Sequence, residues 1–80
     1  MSVIAFPNPY EDSFTLSGEF YADEQITVQA YDITGKLLDN LTVSPSDIEG
    51  LQLGQRYAAG IYNVIVTQGT EQKFLKMVKK

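Results

Sequence analysis

The side chains that most often carry chemistry are scarce in this chain and poorly spaced for it. There is no histidine and no cysteine. That removes the commonest general base, the thiol nucleophile and the ligands of most transition-metal sites. What remains is ten carboxylates, a scatter of Ser and Thr hydroxyls, and five tyrosines. Carboxylates adjoin at Glu11-Asp12 and Asp23-Glu24. Sugar cleavage needs two carboxyl groups roughly 5–10 Å apart across a cleft, and so small a body offers little cleft. Acidic neighbours within a loop are ordinarily just solvated. No Ser or Thr has an evident activating base beside it. The reading is that the chain is not an enzyme and takes no cofactor and no catalytic metal.

The weaker motifs yield to structural explanations. Asp23, Glu24, Asp47 and Glu49 could ligate calcium, but no Asp-x-Asp-x-Asp-Gly loop is present. Asp32-Ile33-Thr34-Gly35 has the residues of an Asp-Thr-Gly catalytic motif with one residue inserted, and a hairpin explains it better. Asn40-Leu41-Thr42 fits the glycosylation tripeptide but falls in an expected strand. Tyr10, Phe20, Tyr21, Tyr31 and Tyr57 could form a sugar-stacking platform. Packing is the simpler account, because aromatic side chains carry much of a small core.

Eighty residues make one domain, 1–80, with a thin stability margin. Hydrophobic content of 44 % with 20 % charged residues argues against disorder. Net charge is −4 but uneven: Lys73, Lys76, Lys79 and Lys80 stand in the last eight residues with no acid among them, giving +4 there and −8 before. An acidic body argues against nucleic acid as a partner. Lysines on a terminal strand serve either to solubilise an edge or to be recognised. No apolar run approaches the ~20 residues of a membrane-spanning helix, so direct membrane insertion is not expected. Met1 to Phe6 lacks the basic start and length of a signal peptide. The expectation is that this is the C-terminal piece of a longer secreted protein.

The elements that must position these residues are strands. Gly60 to Thr67 is the strongest: Tyr62, Val64 and Val66 share one face by period two, and Ile61, Asn63, Ile65 and Thr67 the other. Gln68-Gly69-Thr70-Glu71 reads as the loop of a hairpin returning to Lys80. Val3–Phe6 is a short edge strand stopped by Pro7 and Pro9. Phe14 and Leu16 face inward in a strand 13–18. Ile26, Val28 and Ala30 alternate with Gln25, Thr27, Gln29 and Tyr31, and Asp32 to Lys36 forms a turn using Gly35. Leu37, Leu41 and Val43 share a face of strand 37–43, with a bulge allowed at Asp39. Ser46 and Glu49 match a capping box that Gly50 cuts after one turn. Strands at 51–53, 61–67 and 73–78 complete seven. On the last, Leu75 and Met77 point inward so that Lys76 avoids the core. Phe74 and Val78 then form an apolar strip beside lysines. Such a set predicts a small antiparallel immunoglobulin-like β-sandwich.

An ordered set of short motifs carries a resemblance. Phe6-Pro7-Asn8-Pro9, Asp32-Ile33-Thr34-Gly35-Lys36, Leu53-Gly54, Gly60-Ile61-Tyr62-Asn63-Val64-Ile65-Val66 and the ending Phe74-Leu75-Lys76-Met77-Val78-Lys79-Lys80 resemble the C-terminal sorting domain of the type IX (Por) secretion system of Bacteroidetes. The likeness spans nearly the whole chain. Gln55 to Ala59 is longer than the tight Leu-x-x-Gly-x-Tyr of many members. The resemblance implies a β-sandwich at the end of a secreted cargo, read by the outer-membrane translocon in the periplasm and removed by a cell-surface sortase. The partners it implies are the translocon and sortase proteins, and the cargo ends at the outer-membrane surface or is secreted. Carried over by position, the recognition residues are Gly60, Tyr62, Lys76, Met77, Val78, Lys79 and Lys80. A terminal edge strand also offers itself to strand addition or to weak dimers. The alternative from the residues alone is an accessory module binding carbohydrate or a surface partner through Tyr21, Tyr31 or Tyr57.

Overall fold

The computed structural model describes residues 1–80. Strands run at Ser2–Phe6 (β1), Thr15–Glu19 (β2), Ile26–Asp32 (β3), Leu37–Val43 (β4), Gly60–Gln68 (β5) and Glu71–Lys79 (β6). β1 and β2 form a two-stranded antiparallel sheet, and β4-β3-β5-β6 form a four-stranded one. All the named pairings are antiparallel. The two sheets enclose one core of Tyr10, Phe14, Leu16, Ile26, Val28, Ala30, Ile48, Leu53, Val64, Val66 and Met77. The expected inward sets on β3 and β5 are buried, and burying each such large side chain contributes about 1.5–3 kcal/mol.

Three expected details change. The strand at 51–53 contracts to a single antiparallel bridge, in which Phe14 and Leu53 exchange backbone hydrogen bonds of 3.0 Å each way. Gly54 follows at once with φ +79°, and a Cβ there would collide with the Tyr10 hydroxyl, so the chain turns away around that ring. Six strands therefore stand where seven were expected. The second change is on β4. Its register with β3 slips between Ala30 and Tyr31, so that Ala30 faces Asp39 but Tyr31 faces Leu37. The extra residue, Leu38, turns Leu37 to the outer face, where it is exposed, and leaves Asp39 on the inner face with Leu41 and Val43. The Asp39 carboxylate is compensated there by the Tyr57 hydroxyl, which donates to it.

Between β4 and β5, Pro45–Gly50 forms a short 3-10 turn. Its leading residue is Ser44, whose hydroxyl bonds Ser46 and Asp47, rather than the expected Ser46–Glu49 pair. Ile48 drops from this turn into the core. The β3–β4 turn is the hairpin expected. The Asp32 carboxylate accepts from the Thr34 amide at 2.9 Å, the Thr34 hydroxyl at 2.6 Å and the Lys36 amide at 3.0 Å, and Gly35 takes φ +88°.

The chain also switches sheets near its start. After β1 it leaves through Pro7 and Pro9, and Tyr10 forms a parallel bridge with Lys79 on the outer side of β6.

Candidate functional site

The terminal strand is built into the fold from both sides. On one side it pairs with β5 along its whole length, from Gly60 opposite Lys79 to Gln68 opposite Glu71. On the other, the Asn8 side chain imitates a strand. Its Oδ1 accepts from the Val78 amide at 3.0 Å, and its Nδ2 donates to the Lys76 carbonyl at 2.9 Å. Tyr10 continues with its backbone: its amide donates to the Val78 carbonyl at 2.8 Å, and its carbonyl accepts from the Lys80 amide at 2.9 Å. Asn8 and Tyr10 thus latch the last residues of the chain.

Side chains tie the same region to the loop before β5. The Gly54 carbonyl accepts from the Tyr10 hydroxyl at 3.1 Å and from Lys79 Nζ at 3.3 Å. Lys79 Nζ also donates to the Gln55 carbonyl at 3.2 Å and lies 5.3 Å above the Tyr10 ring. Burial, with a smaller contribution from nearby Tyr62, pushes the Tyr10 hydroxyl up to about 12. The Tyr62 hydroxyl donates to the Ala58 carbonyl, and its ring lies against Tyr57 with centroids 4.8 Å apart. Burial, reinforced by the hydrogen bond to Asp39, raises Tyr57 further still.

The seven recognition residues expected from the sequence divide by position. Gly60 opens β5 with a positive φ of 157°, where an L side chain would be strained. Tyr62 and Met77 face each other and are buried. Lys79 is half-buried against Tyr10 and the Gly54–Gln55 backbone. Lys76 and Lys80 are exposed, with Lys80 Nζ 3.7 Å from Glu11, and Val78 is half-buried opposite Ile61. Leu75 and Met77 do point inward, and Phe74 is 71 % exposed on the outer face opposite Ile65. The strands of the four-stranded sheet turn no acid to that outer face. Asp39 lies inside, and Asp32 and Glu71 sit at strand ends. Lys76 stands on this acid-free surface with Phe74 and Val78.

The tyrosines proposed for sugar stacking do not gather. Tyr10 is in the core, Tyr57 is tied to Asp39, Tyr21 donates to Glu71, and Tyr31 lies on the outer face beside Asn63. The hydrogen bond from Tyr21 raises nothing but its own titration, while Glu71 is held below the usual carboxylate range by its bonds to the Met1 amine and Tyr21. No group of three or more acids is placed to hold a metal ion. A cleft lined by Pro7, Pro9, Glu11, Asp12, Ser13 and Lys80 has no paired nucleophile and base.

A family model described as the secretion system C-terminal sorting domain matches residues 4–80. The chain belongs to this family. The sorting domain is thus a targeting module, and its β-rich fold is the one expected of a type IX cargo tail. A search of curated proteins returned no match.

Sequence reasoning missed two contributors to the sorting domain's terminal strand, Asn8 and Tyr10. Asn8 was legible only as the residue held extended before Pro9. Nothing local reveals that a side chain substitutes for backbone pairing with a strand some seventy residues away.

Proposed function

We propose that this domain is the address by which a cargo in the periplasm is handed to the type IX outer-membrane translocon, and that a cell-surface sortase then removes it. The cargo ends at the cell surface or outside the cell. Family membership supports the transport role. The observation that carries the reading further is the exposed ending of β6: Phe74, Lys76 and Lys80 offer apolar surface and charge together on an otherwise acidic body. A receptor gains specificity and a fast encounter from such complementary charge, and affinity from the apolar anchor.

In this reading the seven residues have two jobs. Lys76, Val78 and Lys80 meet the receptor. Gly60, Tyr62, Met77 and Lys79 hold the strand in the shape that is met. Fusion of the whole chain behind a periplasmic reporter, in a host with the type IX machinery, tests the reading. Export is the expected result, with the reporter alone retained. Replacing Lys76 and Lys80 by Glu reduces export while the unfolding midpoint stays near that of the parent. Equal export with and without the domain overturns the reading.

A further inference from the structure

The latch covers only part of the β6 edge. Val78, Lys80 and the Lys76 carbonyl direct their backbone groups away from β5, toward Asn8 and Tyr10. Backbone groups alternate sides along a strand. Phe74 and Gln72, two and four residues before Lys76, therefore also direct theirs outward, together with the Lys76 amide. None of these makes a backbone hydrogen bond, and β1, which approaches β6, does not pair with it. An edge left open in this way is a template for another strand. Both residues are exposed.

We propose that Gln72 to Lys76 takes an extended segment of a partner protein as a fifth strand of the four-stranded sheet. The proposal rests on the address reading above and names how the address is gripped. The segment's chemistry follows from the edge. Phe74, with Ile65 beside it, calls for an apolar side chain opposite. Lys73 and Lys76 call for carboxylates. A second copy of the same edge is a poor occupant, because Gln72 to Lys76 carries two lysines and no acid to set opposite them. The latch sets the far limit: Asn8 occupies the Val78 amide, so the added strand ends near Lys76 unless Asn8 is displaced.

Proline separates strand addition from ordinary side-chain contact. At Gln72 or Phe74 it deletes an outward amide without breaking the β5 ladder, and edge strands tolerate it. In the reporter fusion, Phe74→Pro and Gln72→Pro export about tenfold less than Phe74→Ala and Gln72→Ala, the scale of a lost hydrogen bond together with its stranded partner. Thr42→Pro, on the outward side of β4, exports as the parent does. Matching unfolding midpoints show that the variants fold. If a proline variant fails to fold, a photo-crosslinking phenylalanine analogue at Gln72 decides in its place. The expected adduct joins it to an acidic, apolar segment of a translocation protein, and no such adduct forms from Thr42. Proline and alanine variants exported alike, or adducts from Thr42 alone, overturn the strand while leaving the address intact. Retention of the unmodified fusion overturns both.

Discussion

Gln68 shows how one side chain can fix a connection that sequence leaves open. It is 1 % exposed, yet every polar atom of its amide is paired. Nε2 donates to the Tyr21 and Glu24 carbonyls at 2.7 and 2.9 Å, and Oε1 accepts from the Tyr21 amide at 2.9 Å. Gln68→Ala strands those three backbone groups and costs about 2–3 kcal/mol, measured by urea unfolding. Gln72→Ala, at an exposed position nearby, costs under about 0.5 kcal/mol. Asp32 gives a pH prediction. Bonds from the Thr34 hydroxyl and the Lys36 amide hold its carboxyl below the ordinary range. Its contribution is therefore complete above the unfolded value and is lost as pH falls through the lower folded value. Asp32→Asn removes that acid-side dependence, seen as a flatter midpoint against pH. Tyr10 has the opposite sign. Its neutral form supports folding fully below pH 10, and that support is lost as pH rises toward about 12. Alkaline titration followed by tyrosine absorbance should show a late phase whose amplitude falls by one tyrosine in Tyr10→Phe, the still later titration of Tyr57 remaining.

Elements were read from period two wherever one face is buried and the other is wet. β3 and β5 meet that condition, and their faces came out as the sequence pattern predicts. The inward choice of Leu75 and Met77 followed from keeping Lys76 out of the core, which is a desolvation argument and needs no neighbour. Period fails where a partner decides. Leu37 lies outside because a bulge at Leu38 flips the start of β4, and the half-buried Asp39 that this leaves on the inner face is met there by Tyr57. Leu51-Gln52-Leu53 alternates like a strand but has too few partners to be one. The residues proposed to be recognised were legible as a motif, while their division into exposed and buried ones depends on Asn8 and Tyr10. Asn8→Ala tests that latch. It removes two hydrogen bonds, costs about 1 kcal/mol, and should raise amide exchange most at Val78 and Lys80 while leaving β3 protected.

Across the whole molecule, a single core joins both sheets, so unfolding should be one cooperative step. Tyrosine fluorescence and far-ultraviolet circular dichroism should give coincident urea midpoints, and separate midpoints would show that the β1–β2 sheet loosens alone. The parallel pairing of Asn8 and Tyr10 with β6 has a mechanical consequence. Tension between the chain upstream of Asn8 and the terminal Lys80 pulls these two parallel segments in opposite directions along their length. The four bonds between them are then loaded together in shear, rather than opened one at a time like a zip. Pulling the two ends of this small sandwich apart thus meets the latch as a single clamp that yields all at once.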